Sequence, residues 1–516
     1  MTKNQLVAYS AEPESATDPV PTPSSVRPRP TDHSLLRSLA WSAAGDWGTQ
    51  VFTWGATLQI MRLVAPRDYG IVAMAAILMP YMGQLTGLGF PRAVIALPDL
   101  TDDQLAQMNT LSLLSATTLF ALSCAIAKPF AAFFKTPALA PVFIVSSAGL
   151  IMSALVAVPT ATLGKQLRFR FLSILNIVCA LTTALGTLVM AWIGLGYWAL
   201  ILGGLVASII KIVVIQRVRP TRLMWPRFKA IREPLQFGWR ISVSLVALNS
   251  YQCLDNFVAG RMLGATALGF YGMAWELANV PIDKVASLIT SVIPAYLSAV
   301  QDQPAALRRY LRGLTEVIAL GTFPGTVGLS LVAPEFVPAV FGHKWDGMIA
   351  PLQVLSFYAG FRSIMALLPK VLWSTGHVRY VMWNDLAALI SLPVAFYIGS
   401  FRGTVGIAWA WVLFYPFIVL PLYHKTFKAI DMRVGEYLRA LRPAATATAV
   451  MIPAVEWVRH SVALSRPLLV RLAIEVAAGA LVYLGTLWLL HRDRVLLLVR
   501  TVKKVWQQKT SVTPAV

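Results

Sequence analysis

Apolar runs recur along the chain from Leu39 to about residue 490, separated by short polar breaks. Each run has about 20 residues, the length that an α-helix needs to cross the hydrocarbon core of a bilayer. The pattern predicts an all-α integral membrane protein with about fourteen transmembrane helices. The predicted spans are 39–60, 70–89, 107–127, 138–160, 171–192, 195–215, 238–259, 267–289, 314–334, 350–371, 380–399, 404–424, 444–461 and 468–490.

Residues 1–38 do not fit this pattern. They hold six prolines among Ser, Thr and Glu residues and contain little apolar material. Such a segment buries too little surface to offset the entropy of ordering it, so we expect a disordered cytoplasmic tail.

The composition excludes a soluble enzyme. Apolar residues make up 57% of the chain and charged residues only 13%, whereas soluble proteins carry about 25% charged residues. The six histidines are scattered, the three cysteines are far apart, and no G-x-x-x-x-G-K-[ST] loop is present. We therefore predict a transporter without a resident cofactor or metal, driven by a coupling ion (proton or sodium) or by the membrane potential.

The net charge of +21 would suggest nucleic acid in a soluble protein, but here its distribution indicates topology. Of the 44 Lys and Arg residues, 33 lie in the termini and the even-numbered breaks with their flanking helix turns, 10 lie in the odd-numbered breaks, and Arg362 lies within predicted helix 10. By the positive-inside rule, both termini lie in the cytoplasm. The basic breaks are expected to meet anionic membrane lipid, and no nucleic-acid partner is expected.

An internal repeat appears at an offset of 199 residues. The segment 62–75 aligns with 261–274 without a gap, and Arg, Gly, Met and Ala recur at equivalent positions. Six helices per repeat keep the two halves in the same orientation, so the substrate path is expected between them. The predicted domains are an N-terminal six-helix bundle (39–215), a basic cytoplasmic linker (216–237), a C-terminal six-helix bundle (238–427), helices 13–14 (428–490) and a basic cytoplasmic tail (491–516).

Polar side chains inside the spans are the candidate functional residues, because each is costly in hydrocarbon and usually faces a cavity or a partner. The alternative is hydrogen bonding between helices of one bundle. The candidate substrate-cavity residues are Asp46, Gln50, Trp54, Gln84, Arg240, Asn249, Gln252, Asn256 and Arg362. The candidate ion-coupling residues are Asp46, Asp255, Glu276 and Asp385, and Arg62 and Arg261 are candidates for an outer gate or clamp.

Three arginine assignments depend on partners. Arg362 offers a fork of donors suited to phosphate, and its alternative is an ion pair with an acid of a neighbouring helix. Glu316 follows Arg312 by four residues and Glu475 follows Arg471 by four, so both are expected to form ordinary helix pairs.

Several segments carry a family resemblance. They are LAWSAAGDWGTQ (39–50), MRLVAPRDYGIVAMA (61–75), GLGFPRAVIALPDLTDDQL (87–105) and FGWRISVSLVALNSYQCLDNFVAGRMLGATALGFYGMA (237–274). Over nearly all of 39–490 the chain resembles the bacterial polysaccharide exporters, or lipid-linked oligosaccharide flippases, of the multidrug/oligosaccharidyl-lipid/polysaccharide exporter superfamily. It is most similar to the colanic-acid and exopolysaccharide branch.

The resemblance implies two six-helix bundles that form a V around a central cavity. It implies alternating access and a cargo of undecaprenyl-diphosphate-linked repeat units, moved from the cytoplasmic to the periplasmic leaflet of the inner membrane for exopolysaccharide or O-antigen synthesis. It also implies proton or sodium coupling, and work beside a polysaccharide polymerase and export machinery. A drug/cation antiporter of the same superfamily is the alternative, and it would have an acid-dominated cavity. A polytopic glycosyltransferase or polymerase would need a large outer loop, and the odd-numbered breaks are short.

Overall fold

The computed structural model describes residues 49–511, except positions 51, 99, 250–252, 291–302 and 462–466. Throughout these residues the regular elements are helical, and the fold class predicted from the sequence is confirmed. In chain order the helices are α1 (52–63), α2 (Pro66–Ala76), α3 (Met79–Gly87), α4 (Phe90–Ala96), α5 (Asp102–Phe133), α6 (Leu139–Lys165), α7 (Phe169–Trp192), α8 (Tyr197–Val218), α9 (Arg232–Asn249), α10 (Leu254–Thr290), α11 (Pro304–Phe341), α12 (Ile349–Met365), α13 (Leu368–Ser374), α14 (Val378–Ser400), α15 (Gly403–Ala429), α16 (Val434–Ser461) and α17 (Leu468–Ser511). A short 3₁₀ helix, His343–Met348, precedes α12.

The chain is a multi-pass membrane protein. Within the described ranges, ten segments are long and apolar enough to cross a bilayer. The total of fourteen is compatible with the remaining helices: α1, α9 with the first part of α10, the second part of α10, and α16. Gly264 divides α10, because its φ of 84° lies in the left-handed region that glycine adopts without strain.

Two helical segments differ from the predicted spans, because buried apolar residues extend the helical structure into predicted breaks. The helix α9 begins at Arg232 rather than at 238, and the additional short helix α4 lies in the predicted break before 107. Ile231 packs with Phe90 and Val94 in one buried cluster, which gives both segments a hydrophobic face to cover. Burial by neighbouring helices therefore orders segments that hydropathy alone assigns to a break.

The two C-terminal helices α16 and α17 pack on α11. Met451 and Val455 of α16 meet Tyr483 and Leu487 of α17 in a common buried cluster, and the Tyr483 hydroxyl donates to the carbonyl oxygen of Leu320 at 2.9 Å. This pair of helices is thereby fastened to the second half of the molecule.

Charged residues at the same interface have partners other than the predicted ones. Arg471 pairs with Glu335 of α11 at 3.4 Å, and Arg494 pairs with Glu316 at 3.4 Å. The described ion pairs do not include the two pairs expected along single helices, Arg312–Glu316 and Arg471–Glu475. That prediction is therefore wrong. Burial is the physical reason: Glu316 and Glu335 face α16 and α17, and a buried carboxylate is stabilised by a cation from the helix that covers it.

Candidate functional site

The two halves of the molecule cross where α2 meets α10. A Cβ on Gly70 would overlap the carbonyl oxygen of Ala265, and a Cβ on Gly269 would overlap the carbonyl oxygen of Pro66. Because Pro66 and Ala265 are themselves separated by 199 residues, the two contacts are equivalent. A reciprocal contact of this kind is the signature of a two-fold axis, here an approximate one relating the two halves.

The end of the molecule that contains this crossing is called the gate end, and it comprises residues 61–70, 260–270 and 339–345. Three side chains seal it across the halves. Arg62 donates to the carbonyl oxygens of Val340 at 2.7 Å and Ala339 at 2.9 Å. Lys344 donates to the carbonyl oxygens of Arg62 and Val64 at 2.7 and 2.8 Å.

The indole of Trp345 completes this seal. It is fully buried, donates to the carbonyl oxygen of Met61 at 2.8 Å, and packs edge-on against Tyr69 with 5.3 Å between ring centroids. A buried aromatic residue that also satisfies a backbone acceptor holds the two halves in a fixed register.

Arg261, the repeat equivalent of Arg62, reaches the opposite half. Its guanidinium lies 5.1 Å from the ring centroid of Phe133 at the end of α5, and Phe133 stacks on Phe257 of α10. Both arginines therefore contact the end of a long helix in the other half, Arg62 through carbonyl oxygens and Arg261 through an aromatic face.

The halves also touch at the other end, called the linker end, which carries residues 88–104 and 219–240. Gly89 and Gly238 approach so closely that a Cβ on either would overlap backbone atoms of the other segment. Nearby, Ser242 donates to the carbonyl oxygen of Gln84 at 3.4 Å. The line of contact between α3 and α9 is thus closed in this structure.

A buried polar cluster lies within the second half around Asp255. One carboxylate oxygen accepts from the hydroxyl of Tyr271 at 2.8 Å and from the indole of Trp411 at 3.1 Å. The other accepts from the backbone of Asn256 at 2.7 Å. Asp255 and Tyr271 would be about 24 Å apart along a straight helix, so the break at Gly264 brings them together.

Arg362 lies beside this cluster. It donates to the Asn279 side chain at 2.6 Å, and its guanidinium lies 5.0 Å from the ring centroid of Trp275. No ion pair joins Arg362 to another described residue. The arrangement holds a cation in a fixed orientation by stacking and one amide, as planar guanidinium groups favour.

The other described candidates lie on α3, α9, α10 and α14, except Trp54 on α1 and Gln50 just before it. Gln50 is exposed and Gln84 is half-buried. Trp54 is 38% exposed, and the Lys284 ammonium nitrogen lies 5.8 Å from the centroid of its ring. Among the remainder, Arg240 and Glu276 are exposed, while Asn256 and Asp385 are half-buried. Asp46, Gln252 and the side chain of Asn249 lie outside the described residues.

Sequence reasoning did not find Tyr271, Trp411 or Asn279 as partners of the buried charges. Tyr271 and Trp411 stand in apolar helices, where aromatic residues are typical core residues. Asn279 lies four residues after Trp275, so the two side chains fall on one face of α10. That shared face, next to a charged position of the helix, was the signal that the sequence offered. Over the described ranges, no three His, Cys, Asp or Glu residues converge as metal ligands.

The chain is thus a multi-pass membrane protein built from two pseudo-symmetric helical halves, which are closed against each other at the gate end. The profile of a family described as "Polysaccharide biosynthesis protein" matches residues 60–350. The chain belongs to this family.

The chain is also similar to individual proteins of known name and shares its fold with a solved structure. The teichuronic acid biosynthesis protein TuaB of Bacillus subtilis (strain 168) is 26% identical over 77% of this chain and 83% of its own length. The lipopolysaccharide biosynthesis protein WzxC of Escherichia coli (strain K12) is 24% identical over 69% of this chain and 73% of its own. The fold is that of the lipid II flippase MurJ in an inward closed conformation, with a TM-score of 0.71, 14% identity, and coverage of 88% of this chain and all of MurJ.

Proposed function

We propose that this protein is a flippase. Its cargo is an undecaprenyl-diphosphate-linked oligosaccharide repeat unit, which it moves from the cytoplasmic to the periplasmic leaflet of the bacterial inner membrane for exopolysaccharide or O-antigen synthesis. Membership of the polysaccharide biosynthesis family and a fold shared with a lipid II flippase support this function. The relatives include a succinoglycan biosynthesis transport protein of Rhizobium meliloti (strain 1021), whose name points to the same class of cargo.

The observation that carries the mechanism is the reciprocal crossing of Gly70 and Gly269. Two equivalent halves separate at the gate end by rocking against each other as rigid bodies, without unfolding either bundle. The contacts of Arg62, Lys344 and Trp345 are those of a closed gate end. Export then requires these contacts to break and form again in each cycle.

The orientation follows from charge. The linker end carries the large basic clusters, so under the positive-inside rule it faces the cytoplasm and the gate end faces the periplasm. The domain boundaries proposed from the sequence place 216–237 between the two bundles at that cytoplasmic end. This orientation makes the present structure one that is closed toward the periplasm.

The coupling ion is proposed to act at Asp255. Its carboxylate lies in the interior of the second half, contacts the helix on either side of the Gly264 break, and is held by Tyr271 and Trp411. A proton or a sodium ion that binds there would neutralise a buried charge and alter the packing of α10 against α15. Because α10 also forms the crossing with α2, such a change reaches the gate end directly.

The deciding experiment compares a deletion strain with its complemented parent. We expect the deletion strain to accumulate lipid-linked repeat units in the cytoplasmic leaflet and to lose surface polysaccharide. Normal delivery of repeat units to the periplasmic leaflet in the deletion strain would refute the proposal. Changed resistance to organic cations with unchanged surface polysaccharide would instead favour the drug/cation antiporter, and sugar transfer by the purified protein would favour a glycosyltransferase or polymerase.

A further inference from the structure

A cavity of about 980 Å³ lies at the linker end, and the function proposed above does not use it. It is called the linker cleft and lies between the segment 97–104 and the segment 229–240. The first segment leads into α5, and the second contains the start of α9, so the cleft borders both halves of the molecule.

The charge of the cleft favours an anion. Lys229, Arg232 and Arg240 line it, and Glu233 is the acidic side chain among the lining residues, which leaves a formal excess of two positive charges. Lys229 and Arg232 are exposed and form no ion pair with a described residue. The first turn of α9 adds backbone N–H groups that favour negative charge at the same place.

The walls of the cleft are held by hydrogen bonds. The Gln104 side chain donates to the carbonyl oxygen of Ala230 at 2.8 Å, and the backbone of Arg227 donates to the side chain of Gln107 at 2.8 Å. Lys165 of α6 donates to the carbonyl oxygens of Leu97 and Pro98 in the first of these segments. The cavity is thus bounded by an ordered part of the linker and not by a free loop.

The surroundings of the cleft are those of a bilayer interface. Trp225 is 79% exposed and Phe228 63% exposed, and Arg227 and Lys229 lie close to them in the linker sequence. Aromatic side chains next to Lys and Arg are typical of the head-group level of a membrane. Leu97 and Phe237 add apolar surface to the cleft itself, which suits a lipid better than a free ion.

We propose that the linker cleft is a binding site for the phosphate group of a lipid. Lys229, Arg232 and Arg240 contact the phosphate, and the apolar wall receives the first carbons of the lipid. Because the ligand bridges the segment 97–104 and the start of α9, its binding favours the arrangement of the two halves seen here. The proposal rests on the membrane location and not on the flippase function, so either can fail alone.

The test uses native mass spectrometry of the purified full chain with added phosphatidylglycerol, and with phosphatidylcholine of the same acyl chains. The double variant Lys229→Gln/Arg232→Gln is compared with Arg217→Gln/Arg222→Gln, which removes the same charge at exposed positions that do not line the cleft. We expect the cleft variant to bind phosphatidylglycerol about tenfold more weakly and the control to change by less than about twofold. Equal losses in both variants, or a loss in neither, would overturn the proposal.

A third variant guards against loss of binding through misfolding. Glu233→Gln removes the acid from the cleft, so we expect tighter binding of phosphatidylglycerol, by about threefold. Misfolding cannot produce that gain, and weaker or unchanged binding would contradict the assigned electrostatics.

Competition then identifies the source of the phosphate. Displacement by undecaprenyl diphosphate would make the cargo head group a ligand of the cleft. Retention of phosphatidylglycerol against undecaprenyl diphosphate would make the ligand a resident phospholipid. Displacement by inorganic phosphate alone at equal concentration would mean that the cleft is a site for soluble anions, and the lipid assignment would be wrong.

Discussion

Gly70 and Gly269 lie against one another's helices, each packed on the carbonyl oxygen four residues before the other glycine. The equivalence of the two contacts turns a modest sequence repeat into a symmetric junction. A side chain at either position cannot be accommodated by a flexible neighbour, because the atoms that it would meet are backbone atoms. The gate end can therefore close in this way only because both positions are glycine, which carries a hydrogen atom in place of a side chain.

The first prediction concerns this crossing. Gly269→Val and Gly70→Val should each hold the gate end open and reduce export at least about tenfold, since overpacking of this kind costs about 1–3 kcal/mol. The measurement is delivery of repeat units to the periplasmic leaflet, at equal amounts of protein in the membrane. Gly272→Ala on the same helix is the control, because no atom lies within 4 Å of its Cβ position. Full activity of both valine variants would show that the crossing need not close.

The second prediction separates the two gate arginines. Arg62→Ala removes two charge-assisted hydrogen bonds, each worth about 1.5–3 kcal/mol, whereas Arg261→Ala removes a contact with the Phe133 ring worth about 0.5–1 kcal/mol. We expect a cysteine introduced at the buried position Val64 to react faster with a membrane-impermeant maleimide in Arg62→Ala than in Arg261→Ala. The reverse order would mean that Arg62 does not hold the gate end closed.

The third prediction concerns Asp255. Asp255→Asn keeps an acceptor for Tyr271 and Trp411 and should fold, whereas Asp255→Leu leaves those buried donors short of a partner and should cost about 1–3 kcal/mol of stability. If the carboxylate couples transport to an ion, the Asn variant should lose export driven by an imposed proton or sodium gradient in vesicles. Gradient-driven export at the wild-type rate by Asp255→Asn would remove this residue from the coupling mechanism.

The fourth prediction concerns Arg362. Arg362→Ala leaves the Asn279 amide without its donor and removes the cation above Trp275, so both stability and export should fall. Arg362→Lys retains the charge but not the flat stacking surface. If Arg362 contacts the diphosphate, Arg362→Lys should export about tenfold faster than Arg362→Ala. Asn279→Ala should then leave the affinity for cargo unchanged. An unchanged export rate in both Arg362 variants would exclude Arg362 from the cargo site.

The fifth prediction tests how α16 and α17 are attached. Glu335 is 7% exposed and pairs with Arg459 and Arg471 at 3.1 and 3.4 Å. Removal of one partner from a buried pair costs about 3–5 kcal/mol, so Arg459→Ala should lower the thermal midpoint clearly. Asp431→Asn is the control, because its side chain is 99% exposed in its pair with Arg308, and such pairs contribute about 0–1 kcal/mol. Equal shifts in the two variants would contradict the role of the buried network.

Much of the architecture was predictable because its signals are local. A run of about 20 apolar residues indicates a spanning helix whatever it packs against, and the all-α fold with its parallel repeat is confirmed. The charge pairs Arg312–Glu316 and Arg471–Glu475 were mispredicted from an equally local rule. Spacing along one helix says which side chains are able to meet, but not whether a neighbouring helix offers a better partner.

The sequence by itself determined the membrane class, the repeat that relates Gly70 to Gly269, and the polar residues that hydrocarbon makes costly. Only the tertiary structure decided which groups these residues meet. Asp255 accepts from Trp411, which is 156 positions away in the chain, and the linker cleft forms where 97–104 meets 229–240. The length of an apolar run and the bias of charge between breaks can be read directly along the chain. A hydrogen-bond partner depends instead on how each helix is rotated and where it breaks, and packing between helices decides both.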